Sequence, residues 1–349
     1  MRTQRAVVHA LRPRAPAARI HSENPDNIHF GEVLDVWLAS SALKHKRSTH
    51  STYETVAERH IRPRFGALRV SDITPETTAE FLRDKLAGSA KEPPLSSSTV
   101  CSIVTVLRAV LRCAGTMGCT VNAWGALSRP RLDTAEAGVL SAPEQERLEA
   151  FLRRDESSER LGVLVCLYTG LRLGEICALK WGDISLDAGT LAVRRTVQRI
   201  RNAEYEKSSR GNKTIVVFDA PKSRHSNRTI PLPSFLQEVL RERQCSQNCF
   251  LLTGDPVSFI EPRTFQNKFK SMLKDAGVRD INFHALRHTF ATNCVDLGFD
   301  PKTLSEILGH ADVSVTLNTY VHPSLSRMRG CMELLEGRGG GERNDHEIK

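Results

Sequence analysis

The sequence predicts a mainly α-helical fold with a small antiparallel β-sheet, divided into two domains. Its 349 residues exceed what one compact core usually serves. Apolar residues recur at helical spacing along most of the chain, and only three short stretches of the second half have strand character. We therefore expect a helical domain over residues 28–128 and an α+β domain over residues 141–336.

The first domain has the pattern of a small helical bundle. An amphipathic helix is predicted from Phe30, and a second helix is predicted to begin near Ser51 and to end before Pro63, since the residue before a proline is disfavoured in a helix. Thr74, which a proline follows, marks the start of a third helix. Apolar residues at helical spacing predict a fourth helix around residues 100–111.

Three segments outside the domains lack apolar periodicity. Residues 1–27 are Arg-rich with several prolines and predict a flexible basic tail, residues 129–140 predict a linker, and residues 337–349 predict a polar tail. The second domain begins with Ser141 and Glu144, which are spaced as a capping box.

The second domain is predicted to be helical up to about Trp181 and then to form strands. The predicted strands cover residues 190–197, 214–218 and 228–232. Helices are then expected at residues 233–243, 262–276, 284–297, 301–308, 312–320 and 324–335.

Composition favours a DNA-binding protein without requiring one. The net charge is +9 and the isoelectric point is about 9.2, which favours polyanionic partners, although a merely basic soluble enzyme stays open. We expect no apolar run long enough to span a bilayer and no secretory signal, and hence a cytoplasmic location, with an organellar transit peptide as the alternative for the Arg-rich start.

The nine cysteines favour a reducing compartment over a disulfide framework. Cys245 and Cys249 are spaced as half of a zinc site, but no second Cys or His pair follows at zinc-site spacing. We expect no bound metal.

The second domain contains four clusters of polar residues, of which the first two have ordinary structural explanations. Arg172 opens a helix after an apolar one, and Glu175 lies one turn further, where it can hold the guanidinium. Taken alone, this cluster is better explained as a surface ion pair. Lys222 is predicted in a hairpin between two strands, where lysines are usually only solvated.

The third and fourth clusters are harder to explain by packing or solvation alone. His284, Arg287 and His288 share one helix face, and such side chains need polar partners when buried. A zinc site formed by the two imidazoles is the rival, but it lacks a glutamate between them. The last cluster is His310 with Tyr320, although a tyrosine late in a helix is more often a packing residue.

The order of these clusters resembles the tyrosine recombinase (phage integrase) family. The resemblance extends to the neighbouring residues: Thr-Gly-Leu-Arg, Arg-Thr-Ile-Pro-Leu, His-x-Leu-Arg-His-Thr-Phe-Ala-Thr and Leu-Gly-His-x-x-x-x-x-Thr-x-x-x-Tyr. The first domain is similar to the helical, SAM-like core-binding domain of that family. Val121-Asn-Ala-Trp124 departs from the Asn-Pro that relatives often have, which affects only the domain boundary.

The resemblance implies transesterification of DNA by Tyr320 through a 3′-phosphotyrosine. Arg172 and Arg287 would bind the non-bridging oxygens of the scissile phosphate, for which the planar, permanently charged guanidinium is suited.

The remaining roles follow from the same resemblance. His310 would donate a further hydrogen bond to the phosphate, Lys222 would protonate the leaving 5′ oxygen, and His284 would accept the proton of Tyr320. No metal ion and no ATP would be needed, because cationic side chains neutralise the phosphate and the phosphotyrosine conserves the bond energy.

The implied protein is a site-specific recombinase that binds double-stranded recombination sites as a synaptic homotetramer, with accessory DNA-bending or excision factors as possible partners. Integration and excision of a mobile element is the expected role, which the basic segment Arg199–Lys213 favours, and Xer-like resolution of chromosome or plasmid dimers is the alternative. A type IB topoisomerase, a non-catalytic DNA-binding protein and a zinc hydrolase stay open as rival functions. The final helix at 324–335 is expected to dock on a neighbouring protomer, with folding back in cis as the alternative.

Overall fold

The structure is a computed structural model that describes residues 25–88, 92–123, 127–131, 138–202, 212–219, 226–320, 328–329 and 332–333. These residues fall into two compact units. The described residues within Arg5–Glu136 and Arg199–Val217 form one, here called the helical unit, and those within Ala137–Gln198 and Phe218–Lys349 form the other, here called the mixed unit.

Five α-helices build the helical unit around one apolar core. They are α1 (Phe30–Lys44), α2 (Arg47–Val56), α3 (Arg62–Phe65), α4 (Pro75–Ala87) and α5 (Ser97–Thr116). Their fully buried side chains include Phe30, Leu34, Ile61, Phe65, Leu107 and Leu111. Thr74 caps α4 as predicted, because its hydroxyl accepts a hydrogen bond from the backbone N–H of Thr77.

The prediction that the second helix ends before Pro63 is wrong. The segment Ala57–Ile61 continues α2 as a π-helical turn, and α3 follows it directly with the proline in its first turn. The proline stands where the hydrogen-bond pattern changes from the π-helical turn to α3, and the N–H of Arg62 just before it bonds to the Ala57 oxygen.

One helix of the helical unit is long and apolar enough to span a bilayer by length and composition alone, which was not expected from the sequence. Helix α5 has the length and hydropathy of a membrane span, with 20 residues and a mean hydropathy of 1.4. Its apolar positions, among them Ile103, Leu107 and Leu111, are buried in the core of the helical unit, as is common for a central helix of a bundle.

The mixed unit contains eight α-helices among its described residues. They are α6 (Ala142–Leu152), α7 (Ser158–Thr169), α8 (Leu173–Ala178), α9 (Ser234–Glu242), α10 (Pro262–Asp275), α11 (His284–Asp296), α12 (Pro301–Leu308) and α13 (Val313–Tyr320). The capping box predicted at Ser141 is present, since the backbone N–H of Ser141 donates to Oε2 of Glu144 at 2.9 Å. Helix α11 packs against α7, α12 and α13.

Two small sheets account for the described strands, which are β1 (Ile184–Ser185), β2 (Thr190–Val193), β3 (Thr196–Arg201), β4 (Thr214–Asp219) and β5 (Arg228–Pro231). Antiparallel pairing joins β1 to β2 and β2 to β5, with Leu191 opposite Ile230. Strand β3 pairs with β4 in the second sheet. The mainly helical fold with small antiparallel sheets is therefore confirmed, and the predicted strand at 190–197 is divided between the two sheets.

Several predicted segments lie outside the described residues. These are the basic tail up to residue 24, Trp124, residues 132–137 of the linker, residues 203–211 of the basic segment, Lys222 and the polar tail. Of the predicted final helix, only residues 328–329 and 332–333 are described, and they are helical.

Candidate active site

The first part of the site is formed where α7 ends and α8 begins. Gly170 ends α7 in the left-handed conformation with φ of 64°, which favours glycine. A Cβ atom there would also lie 2.7 Å from a ring carbon of Phe290 and 2.8 Å from a methyl carbon of Leu308. The chain can therefore turn closely against α11 and α12, and Arg172 follows as the N-cap of α8.

Arg172 forms the predicted ion pair with Glu175, whose carboxylate is buried rather than at the surface. Its Nη1 lies 2.8 Å from Oε1 of Glu175, and its backbone N–H donates to Oε2 at 3.0 Å. The same carboxylate accepts from Nη1 and Nη2 of Arg228 at 3.1 and 3.0 Å. Burial raises the pKa of Glu175, but the two guanidinium groups outweigh burial and hold that pKa below its ordinary value.

Three arginines donate to three successive carbonyls at the C-terminal end of α12. The Ile307 oxygen accepts from Nε of Arg228 at 2.5 Å, the Leu308 oxygen from Nη2 of Arg287 at 2.8 Å, and the Gly309 oxygen from Nη2 of Arg172 at 3.1 Å. Gly309 is left-handed, with φ of 68°. These carbonyls have no partner within their helix and form the negative end of its dipole, so they attract and align cations.

Among the described residues, Arg287 is the largest fully buried side chain, with 2% of its surface exposed. Besides its bond to α12, its Nη1 donates to the Gly170 oxygen at 2.9 Å. Burial, together with the charges of Arg172 and Arg228, lowers the pKa of Arg287 to about 9. The group thus stays protonated at neutral pH, and each of its Nη atoms keeps one hydrogen for another acceptor.

Tyr320 lies among the imidazoles of α11 and the α12–α13 connection. Its ring centroid is 5.5 Å from that of His288 and 6.5 Å from that of His310, whose ring is parallel to it within 2°. His284 packs edge-on against His288 at 4.7 Å. Only 9% of the surface of Tyr320 is exposed, and it packs with Leu308 in an apolar cluster.

The imidazoles of this cluster are neutral at pH 7. Burial lowers the pKa of both His284 and His310 to about 4, and the nearby arginines contribute to both shifts. His288 has a lowered pKa for the same reasons. Nδ1 of His310 lies 2.8 Å from the Thr316 hydroxyl, which fixes the orientation of the ring. Neutral imidazoles can accept a proton.

The phenol itself is protonated at neutral pH. Burial raises the pKa of Tyr320, while the charge and hydrogen bonding of Arg287 and the charge of Arg172 act against that rise. Deprotonating this phenol therefore needs a nearby acceptor, and the neutral imidazoles provide candidates.

The structure brings together five of the six predicted site residues: Arg172, His284, Arg287, His310 and Tyr320. Lys222 lies outside the described residues. It was predicted in a hairpin between two strands, but β4 and β5 belong to different sheets and therefore do not pair.

Two residues of the site were not singled out from the sequence. Arg228 and Thr316 both occur in the motifs that carry the family resemblance, where they were read only as neighbouring residues. Their contacts with Glu175 and His310 give them structural roles in the site. In the described part of the chain, no group of three His, Cys, Asp or Glu side chains is arranged to hold a metal ion.

Comparison with known families agrees with this geometry. Residues 139–327 match the model of the phage integrase family, and residues 29–86 match the phage integrase N-terminal SAM-like domain. The first match alone covers more than half of the chain.

Individual relatives include recombinases and a transposase. A tyrosine recombinase XerC-like protein of Caldanaerobacter subterraneus subsp. tengcongensis is 34% identical over 49% of this chain and 47% of its own length. Tyrosine recombinase XerA of Pyrococcus furiosus is 30% identical over 62% of this chain and 69% of its own. The transposase from transposon Tn916 of Enterococcus faecalis is 25% identical over 58% of this chain and 52% of its own. The match thus spans about half the length of the first and the third relative.

Solved structures share the fold at lower identity. The integrase of transposon Tn1549 in complex with a circular intermediate DNA has a TM-score of 0.68 and 21% identity over 87% of this chain and 99% of that one. A lambda integrase tetramer bound to a Holliday junction has a TM-score of 0.58 and 19% identity, over 95% of this chain and 83% of that one. The chain therefore belongs to the phage integrase family, the tyrosine recombinases, which are DNA-cleaving and DNA-rejoining enzymes.

Proposed function

We propose that this chain is a site-specific DNA recombinase that cleaves and rejoins strands through a 3′-phosphotyrosine at Tyr320. The observation that carries the proposal is the convergence of Arg172 and Arg287 on the end of α12, beside a buried tyrosine and neutral imidazoles. Three guanidinium groups and one carboxylate, at Arg172, Arg228, Arg287 and Glu175, leave a net charge of +2. A DNA phosphodiester is an anion that such a site would neutralise.

In the cleavage step, the phenolic oxygen of Tyr320 forms a bond to phosphorus and the bond from phosphorus to the 5′ oxygen breaks. Arg172 and Arg287 bind the non-bridging oxygens, and His310 donates a further hydrogen bond. Arg172 is the accessible member of the pair, with 35% of its side chain exposed against 2% of the whole residue for Arg287.

Two protons move in this step. We assign His284 as the acceptor of the Tyr320 proton, and the His288 ring lies between the two. We assign Lys222 as the donor of the proton that the leaving 5′ oxygen takes up. Rejoining reverses the step, when a 5′-hydroxyl attacks the phosphotyrosine. The bond energy is retained in the intermediate, so that no nucleotide cofactor is consumed, and the cationic side chains take the place of a metal ion.

For the biological role, we propose integration and excision of a mobile element. The relationship to a transposon transposase and the structural likeness to a transposon integrase support this role, together with the basic segment Arg199–Lys213. Xer-like dimer resolution is the second candidate, which the relatives with Xer names at 34% and 30% identity favour.

The proposed partners are double-stranded recombination sites and three further copies of this chain, with accessory DNA-bending or excision factors. One structural neighbour is a tetramer on a Holliday junction, which supports the assembly. Met328 and Met332 on the last helical segment are exposed, at 47% and 64%, as expected for side chains that a neighbouring protomer would cover.

Covalent trapping tests the chemistry directly. The protein is incubated in EDTA with nicked suicide duplexes from the repeats that flank its own gene, and adducts that resist SDS are resolved on a gel. We expect an adduct with the native protein and none with Tyr320→Phe, because the phenyl ring keeps the packing but has no nucleophile.

Tyr168→Phe is the matched control. This second tyrosine of the mixed unit donates to Glu149 at 2.7 Å, and its substitution should leave the adduct in place. An adduct that persists in Tyr320→Phe would refute Tyr320 as the nucleophile. An adduct that forms only with divalent cations would refute metal independence.

A further inference from the structure

Arg228 is a buried charged residue to which the proposed chemistry assigns no step. It begins β5, and only 6% of its side chain is exposed, against 4% for its partner Glu175. Burying two ions carries a large desolvation cost that their attraction must offset, and apolar residues of similar volume often replace such a pair without loss of stability. Stability alone therefore gives little reason for a guanidinium at this position.

The contacts of Arg228 are directed at the groups that hold Arg172. Its two Nη atoms donate to the two oxygens of Glu175, and each of these oxygens also accepts from Arg172. Four donors on one carboxylate fill its lone-pair positions and fix its plane. The planar fork of Arg228 thus sets the orientation of Glu175, and Glu175 sets that of Arg172.

A second route leads through the end of α12. Nε of Arg228 donates to the Ile307 oxygen, and the next two carbonyls accept from Arg287 and Arg172. The three carbonyls belong to one turn, so a shift of the first moves the acceptors of the other two. Arg228 thereby connects β5, α8 and α12 at the point where both phosphate-binding arginines are anchored.

We propose that Arg228 is a positioning residue for DNA cleavage. It fixes Arg172 through Glu175, and it fixes Arg172 and Arg287 together through residues 307–309, without contacting DNA. The inference deepens the proposed function and rests on it only for the identity of the ligand that the two arginines bind.

The test is Arg228→Lys, which keeps the charge beside Glu175 but cannot donate to both carboxylate oxygens and to Ile307 at once. The rate of adduct formation is measured on two suicide duplexes, one with a normal scissile phosphate and one with a methylphosphonate there. The methylphosphonate lacks the negative charge that Arg172 and Arg287 neutralise. We expect the variant to lose about 10–100-fold on the phosphate, the range found when groups that orient a ligand-binding residue are removed, and less than about threefold on the methylphosphonate.

Arg195→Lys is the matched control, since Arg195 also pairs with a buried carboxylate in the mixed unit, that of Asp183. Any loss in this control should be the same on both duplexes. An equal loss of Arg228→Lys on both duplexes, or no loss on the phosphate, would overturn the proposal. So would unfolding of both Arg228→Lys and Arg228→Met in a thermal melt, because Arg228 would then maintain the fold.

A second measurement separates this inference from the proposed function. The order parameter of the Arg172 Nε–H bond, obtained by NMR on arginine-labelled protein without DNA, should fall in Arg228→Lys and stay unchanged in Arg195→Lys. An unchanged value in Arg228→Lys would refute positioning even if Tyr320 forms the adduct. A reduced value would support positioning even if the native protein forms no adduct, in which case the proposed function alone would fail.

Discussion

The helical unit and the mixed unit bury different kinds of side chain. Among the described residues, the buried polar side chains of the helical unit are the uncharged Ser41 and Thr78. The mixed unit buries four charged ones, which are Glu175, Asp183, Arg228 and Arg287. The first unit thus resembles an ordinary apolar bundle, whereas the second contains charges in its interior.

This difference distinguishes side chains that stabilise the fold from side chains that prepare the site for a ligand. An apolar core is stabilised by each side chain it removes from water, whereas a buried charge must be matched by partners to avoid a large desolvation cost. In the mixed unit the partners are a carboxylate and the carbonyls at helix ends, so the guanidinium groups stay charged and fixed before a ligand arrives. Such preorganised charge is what stabilises a phosphoryl transition state.

The largest expected change in stability follows from removing the carboxylate at the centre of the network. Glu175→Leu leaves Arg228 buried without its counterion, and we expect the free energy of unfolding of the mixed unit to fall by about 3–5 kcal/mol. Urea denaturation followed by circular dichroism measures the loss, and adduct formation should fall with it because Arg172 loses its anchor.

The double variant Glu175→Leu with Arg228→Met sharpens this prediction. It removes both buried charges, so most of the lost stability should return, while the cleavage rate should stay low. A double variant that recovers stability and cleavage together would show that the pair serves only the fold.

A substitution in the core of the helical unit should lower stability and leave the cleavage rate unchanged. Leu107 is fully buried, and Leu107→Ala should lower the free energy of unfolding of that unit by about 2–5 kcal/mol through lost burial and a cavity. At saturating DNA and a temperature well below the melting temperature of the variant, Leu107→Ala should form the adduct at the same rate as the native protein. A lower rate on saturating DNA would show that the helical core contributes to the chemistry.

Local sequence patterns predicted the features that depend on neighbours along the chain. The helix start at Thr74 and the ion pair of Arg172 with Glu175 are both set by side chains three residues apart. The common face of His284 and His288 follows from the helical period in the same way.

Features that depend on tertiary contacts were missed or misjudged. Arg228 reaches Glu175 across 53 positions of sequence, so spacing could not indicate its role. Pro63 stands in a helical run that continues through a π-helical turn, which local sequence rules did not predict. Helix α5 has the length and hydropathy of a membrane span, and only its packing in the helical unit shows that it is a core helix. The resemblance to a family supplied the site where spacing alone left rival explanations open.

The smallest effect is expected from pH. Since the pKa values of His284 and His310 fall from about 6.5 to about 4 on folding, the unfolded chain binds more protons between these values. The stability of the mixed unit is therefore complete above pH 6.5 and decreases as the pH falls towards 4. Both rings are partly exposed, so we expect a loss on the order of 1 kcal/mol for each after allowing for solvent screening.

Urea denaturation at pH 7, 5.5 and 4.5 measures this loss, with a His284→Asn, His310→Asn double variant as the reference. The difference in stability between the native protein and the variant should shrink steadily as the pH falls, because asparagine does not titrate. A difference that stays constant across this range would mean that the two imidazoles titrate alike in the folded and the unfolded chain. The neutral proton acceptor that Tyr320 needs would then not be produced by burial.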